Sequence, residues 1–211
     1  MKKELLELYL VLGSPNCNRD PRHVLREAIE GGITLFQYRE KGTGSLEDSE
    51  KLELAKDLLS ICREHQIPFI VNDDINLALE IDADGVHIGQ EDELATSARE
   101  KIGDKILGVS AHNVEEALAA VKAGADYIGV GPMYETSTKT DVREVQGPEV
   151  IGLIREAGVT LPLVGIGGIS QGKAEAVIKA GANGVAVISA ISMAEFPLKS
   201  AQGLLGEVRK S

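Results

Sequence analysis

Cations and carboxylates recur in this sequence at spacings that would gather them around a charged ligand. In the segment QYREK, Gln37, Arg39 and Lys41 alternate, so in an extended chain all three point to one side. An amide and two cations gathered in this way suit a phosphate or diphosphate. The segment VNDD supplies Asn72 and Asp73, and HIGQED supplies His87, Gln90 and Asp92. Asp73 and Asp92 are hard oxygen donors, and a pair of them leaves the remaining positions around a hard cation to water and phosphate. The alternative is that each carboxylate caps a following helix, a role in which Asp is favoured. Ser110 lies near the end of the run ILGVSA, with His112 close behind. Gly167 and Gly168 in GIGGIS, and Ser189 in AVISA, each precede a helical pattern. Exposed backbone N–H groups at such a position bind phosphate. Between these two clusters, Thr136, Ser137, Thr138 and Lys139 crowd into one short stretch.

The elements that must position these residues are short and regular. Eight apolar runs begin at Leu8, Thr34, Pro68, Gly85, Ile106, Tyr127, Pro162 and Gly184. Each is rich in β-branched residues and bounded by Gly or polar residues, as expected of parallel strands covered on both faces. Amphipathic segments lie between them. In HVLREAIEGG, for example, Val24, Leu25, Ala28 and Ile29 share a helical face and glycines close the segment. The entries IDADGVHI, AGADYIGV and AGANGVAV share a pattern of small residues with Asp or Asn, which marks a repeated unit. Eight strands alternating with helices and no linker predict an α/β fold, a single (β/α)8 TIM barrel over residues 1–211. An open doubly wound sheet would want a GxGxxG after the first strand, and LVLGSPNCN has none. In a barrel the active site lies at the C-terminal strand ends, where all of the residues above fall.

Composition narrows the partners. The chain has 211 residues, 22 Lys and Arg against 33 Asp and Glu, and a net charge of -11. That sign disfavours nucleic acid and anionic membranes, so an anionic ligand needs a local cluster of cations. Only 3% of the residues are aromatic and none is Trp, which argues against binding bases by stacking. Cys17 and Cys62 form no CxxC, as in a reduced cytoplasmic chain. The N-terminal MKKELLELYLVLG carries Glu4 and Glu7 within its apolar part, unlike a signal peptide, and no apolar stretch has the length to span a bilayer. A soluble protein acting on small molecules is expected; the oligomeric state is not legible.

Taken in order, FQYREK, VNDD, ADGVHIGQED, LGVSAHN, GADYIGVGPMYETSTK, LVGIGGI and GANGVAVISAI resemble the thiamine phosphate synthase family along nearly the whole chain. The resemblance implies a Mg²⁺-dependent transferase of thiamine biosynthesis. Such an enzyme joins 4-amino-5-hydroxymethyl-2-methylpyrimidine diphosphate to a (carboxy)thiazole phosphate and releases pyrophosphate. It implies that Gln37, Tyr38, Arg39, Glu40, Lys41, Asn72, Ser110 and Lys139 hold the pyrimidine diphosphate. Arg39, Lys41, Ser110 and Lys139 would act in catalysis. Thr136, Ser137, Thr138, Gly168, Ile188 and Ser189 would hold the thiazole phosphate, and Asp73 and Asp92 would bind Mg²⁺. Asp74 departs from the family pattern, which often has Arg there, and alters the charge beside the metal carboxylate. A thiazole tautomerase of the same fold would not need the diphosphate cluster. A non-catalytic sensor of thiamine phosphate would bind without turnover, and a sugar-phosphate isomerase would want a catalytic carboxylate or histidine pair.

Overall fold

The computed structural model describes residues 1–136 and 144–210. The strands are β1 (Leu8–Leu12), β2 (Leu35–Tyr38), β3 (Phe69–Asn72), β4 (Gly85–Ile88), β5 (Ile106–Ala111), β6 (Tyr127–Val130), β7 (Leu163–Ile166) and β8 (Gly184–Val187). Every neighbouring pair is parallel, and β8 returns to β1, so the sheet closes into an eight-stranded barrel. The apolar runs read from the sequence match these strands to within a residue or two. The helices are α1 (Pro21–Glu30), α2 (Asp48–Glu64), α3 (Ile75–Glu80), α4 (Ala95–Ile102), α5 (Val114–Lys122), α6 (Glu149–Glu156), α7 (Ala174–Lys179), α8 (Ser189–Ser192) and α9 (Pro197–Lys210). None among the described residues is long and apolar enough to cross a membrane.

Start signals are local. Asp20 accepts from the Arg22 backbone N–H ahead of Pro21, the first residue of α1, and Asn113 accepts from Glu116 N–H at the start of α5. On α1 the expected face is buried at Val24, Leu25 and Ala28, with Ile29 packed against the same core. That core fills the space between strands and helices. A second cluster, which includes Tyr9, Val11, Leu35, Ile70, Tyr127, Val164 and Ala186, is formed by residues of alternating strand positions and fills the barrel interior.

The repeated strand entries have a mechanical meaning. A backbone N–H at the first or second residue of each odd-numbered strand donates to a side-chain oxygen at the entry of the next strand. Leu8 N–H meets Thr34 Oγ1 at 3.0 Å, Phe69 N–H meets Asp84 Oδ2 at 2.7 Å, Leu107 N–H meets Asp126 Oδ2 at 2.8 Å, and Leu163 N–H meets Asn183 Oδ1 at 2.9 Å. The Asp and Asn in the repeat thus satisfy strand donors that have no ladder partner at the barrel floor. The unit recurs every two strands. It leaves the opposite, C-terminal rim to chemistry.

Candidate active site

The C-terminal rim opens into a cavity of about 490 Å³ lined by the ends of many strands. From β2 and the turn after it, Gln37, Arg39 and Lys41 line the cavity, as the alternation predicts. Gln37 and Arg39 are buried, at 4% and 7% exposure. The intervening Tyr38 and Glu40 do not line it, which corrects the expectation that their side chains touch substrate. The reason is the same alternation, which turns them away. The Tyr38 hydroxyl donates to the Lys51 carbonyl. Glu40 accepts from the Ser14 N–H and hydroxyl and from the Leu46 N–H, so it ties the loop after β1 to the loop after β2.

The two metal candidates converge on a cation. Lys41 Nζ lies 2.6 Å from Asp73 Oδ2 and 3.7 Å from Asp92 Oδ1. The hydrogen bond to Asp73 raises the Lys41 ammonium above its ordinary pKa and keeps it charged. Asp73 sits in the left-handed region, with φ of 51°, a conformation Asp tolerates better than most residues. Asp92 lines the cavity and accepts from Gly89 N–H at 2.6 Å, whereas Asp73 reaches the cavity through Lys41. Neither carboxylate caps a helix. The cap of α3 is Asp74, which accepts from Leu77 N–H, and α4 begins after Leu94 with no side-chain cap. Two hard oxygen donors around one positive charge fit Mg²⁺, which is commonly held by one or two carboxylates with substrate phosphate. Among the described residues there is no larger His, Cys, Asp or Glu cluster.

Asp74 also resolves its own departure from the family pattern. Its carboxylate pairs with Lys51 Nζ of α2 at 2.6 Å. Burial alone would raise this carboxyl, but Lys51 and the Leu77 N–H together hold it below the ordinary range. The extra negative charge is therefore offset by α2 rather than added to Asp73 and Asp92.

At the far side of the cavity lie Gly167, Gly168, Ile188 and Ser189. Gly168 has φ of 64°, and a Cβ there would sit 2.4 Å from the Glu135 carbonyl oxygen, so glycine lets the loops after β6 and β7 touch. Asn72, Ser110 and Thr136 also line the cavity. Ser137, Thr138 and Lys139 lie outside the described residues. The thiols offer no nucleophile: burial pushes Cys17 up to about 12, and Cys62 is raised further by burial.

The family described as thiamine monophosphate synthase matches residues 8–191. The chain belongs to the thiamine monophosphate synthase family. A thiamine-phosphate synthase of Geobacillus kaustophilus is 59% identical over 207 residues, covering 98% of this chain and 94% of that one. One from Bacillus cereus is 56% identical over 208 residues, covering 99% and 95%. Among solved structures, a thiamine phosphate pyrophosphorylase from Pyrococcus furiosus superposes with a TM-score of 0.88 at 37% identity, covering 99% of this chain and 98% of that one.

Sequence reasoning passed over part of the wall. Tyr9 lines the cavity but sits inside an apolar run, with no polar neighbour to mark it. His87 and His112 stand at strand ends in the sequence, and nothing in their spacing marks a role for them. Both turn out to be tied into hydrogen bonds: His87 to Tyr127 and Ser110, and His112 to Glu116 through its Nδ1 and its backbone N–H. A signal for His87 did exist in Gly108. A Cβ at that strand position would lie 2.5 Å from His87 Nδ1 and 2.3 Å from the Tyr127 hydroxyl.

Proposed function

We propose that this cavity joins the aminopyrimidine diphosphate to the thiazole phosphate to make thiamine phosphate and pyrophosphate, with Mg²⁺ as cofactor. The observation that carries the reading is a single cavity whose wall gathers two groups of residues suited to anions. Arg39 and Lys41, beside Asp73 and Asp92, form one group; Gly168 and Ser189 form the other. A site for one sugar phosphate would need only one of them. Gln37, Asn72 and Ser110 line the same cavity and suit the pyrimidine ring, and Thr136 and Ile188 suit the thiazole side. Ser137, Thr138 and Lys139 are assigned by resemblance alone.

The reaction asks little of acid–base chemistry. The carbon–oxygen bond to diphosphate breaks, and the electron-rich aminopyrimidine stabilises the carbon cation that remains. The thiazole nitrogen then supplies the electron pair of the new carbon–nitrogen bond. Arg39 and Lys41 stabilise the charge that grows on the departing diphosphate. Asp73 and Asp92 would hold Mg²⁺, which supplies further neutralisation of that charge. The buried wall keeps water from the cation, and the two anion ends hold the reactants in line. The free thiols Cys17 and Cys62 accord with work in a reducing cytoplasm.

The test is direct. Purified protein mixed with both substrates and Mg²⁺ should release thiamine phosphate and pyrophosphate in equal amounts. Chelation should stop the release and added Mg²⁺ should restore it. Binding of both substrates without product would favour the sensor instead, and undiminished turnover after chelation would remove the metal.

A further inference from the structure

A line of polar side chains crosses the barrel interior at the floor of the cavity, whose wall includes every member but Tyr127. Gln37 Nε2 donates to Tyr9 Oη at 2.6 Å. Tyr9 Oη lies 2.8 Å from Tyr127 Oη, which lies 3.0 Å from His87 Nδ1. His87 Nε2 lies 2.9 Å from Ser110 Oγ. Strands β1 and β6 are not neighbours, so the two tyrosines meet across the interior, with their rings edge to face. Gln37 and Ser110, the two ends of the line, both face the cavity. Tyr127, in the middle, is fully buried and does not.

The line has a direction. Both phenols are buried, and burial raises their pKa values well above ordinary tyrosine, so each keeps its proton. A buried hydroxyl proton needs an acceptor. Tyr9 Oη already receives the Gln37 amide proton, so its own proton goes to Tyr127. The Tyr127 proton then goes to His87 Nδ1, which leaves the His87 proton on Nε2, donating to Ser110 Oγ. The Ser110 proton remains to be given to the cavity. If Tyr127 donated to Tyr9 instead, the Tyr9 proton would have no acceptor along the line unless the Gln37 amide turned over. The amide orientation at one end and the hydroxyl at the other are therefore set together.

We propose that this line is a directional hydrogen-bond relay that orients the aminopyrimidine, with Tyr127 and His87 as positioning residues acting through Gln37 and Ser110. The proposal rests on the reading in which Gln37 and Ser110 hold the pyrimidine diphosphate. An aminopyrimidine edge presents an N–H donor beside a ring-nitrogen acceptor, and a glutamine amide pairs with such an edge through its oxygen and one N–H. An amide free to turn over would serve the ring in two opposite settings. A fixed amide serves one, and so presents the reacting carbon in one orientation.

The relay is tested by the tautomer of His87 and by a variant that touches no substrate. In ¹⁵N-labelled wild-type protein without substrate, at pH about 8, long-range ¹H–¹⁵N spectra should show His87 with a protonated Nε2 and a bare Nδ1. Its signals are assigned by their loss in His87→Gln. In Tyr127→Phe, which keeps the ring and removes the hydroxyl, His87 should become a mixture of tautomers. The KM for pyrimidine diphosphate should rise about tenfold, the scale of one lost hydrogen bond, while that for thiazole phosphate stays within about twofold. A wild-type His87 protonated on Nδ1 would overturn the relay, as would a Tyr127→Phe protein with both the tautomer and the KM unchanged. If Tyr127→Phe does not fold, the wild-type tautomer and the same KM comparison in Tyr9→Phe decide. The tautomer is read without substrate, so its failure is separable from failure of the site assignment. If Gln37→Ala weakened only thiazole phosphate, the pyrimidine would belong elsewhere and the substrate half of the proposal would fall.

Discussion

Asp92→Asn isolates the charge of the proposed Mg²⁺ site from its architecture. Asp92 accepts one backbone bond, from Gly89 N–H, and its other oxygen faces Lys41 at 3.7 Å. Asparagine keeps an oxygen for Gly89 and removes one negative charge. Without metal, the loss is a partly exposed ion pair, so stability should change by less than about 1 kcal/mol. With metal the loss is larger. A doubly charged ion about 4 Å from a carboxylate gains about 2 kcal/mol at a dielectric of about 80, and about 4 kcal/mol at about 40. Asp92 is about a quarter exposed (24%), so the effective value lies in that range. The Mg²⁺ concentration for half-maximal activity should therefore rise about 30- to 1000-fold, since each 1.36 kcal/mol is about tenfold. The assay is pyrophosphate release against Mg²⁺ concentration, with Tm recorded in chelator. Asp73→Asn should behave alike, because Asp74 rather than Asp73 caps α3. An Asp73→Asn, Asp92→Asn protein fully active at low Mg²⁺ would refute the argument. So would a Tm in chelator lowered as much as activity.

Arg39→Ala should cut turnover about 100- to 1000-fold, the scale of a lost charge-stabilising contact, with thiazole phosphate affinity unchanged by calorimetry; normal turnover at saturation with lost thiazole phosphate binding would contradict the two-ended cavity. Asp74→Asn keeps the cap on Leu77 but loses Lys51, and should cost about 1 kcal/mol at neutral pH. Because the folded pKa of Asp74 is depressed, its contribution is full above the unfolded value of about 3.9 and is lost as pH falls through the lower folded value. The Tm gap between wild type and variant should therefore close in that acid window, and a gap independent of pH would refute the pairing. Gly168→Ala should destabilise the fold by about 1–3 kcal/mol, since its Cβ meets the Glu135 carbonyl, so Ser189→Ala is the cleaner probe of the phosphate end. That variant should weaken thiazole phosphate about tenfold and leave pyrimidine diphosphate alone; equal losses for both would argue against the assignment.

The sequence by itself determined what depends on neighbours along the chain. Strand positions followed from apolar runs, and the inward set Gln37, Arg39 and Lys41 followed from the two-residue period of an extended chain. The same period, applied strictly, already excludes Tyr38 and Glu40 from the cavity. Repeated Asp and Asn at strand entries were visible as a pattern, though not as acceptors for the strand before. Tertiary structure decided what depends on closure. Which of Asp73, Asp74 and Asp92 caps a helix turned on the left-handed turn at Asp73 and on the reach of Lys41 and Lys51 from other elements. Tyr9 and Tyr127 stand 118 residues apart and read as ordinary apolar-run aromatics. Only a closed barrel, with β8 returning to β1, brings their hydroxyls within hydrogen-bonding distance across its interior. Sequence periodicity fixes the side of a strand on which a residue lies, whereas its partner across the barrel is fixed by how the whole sheet closes.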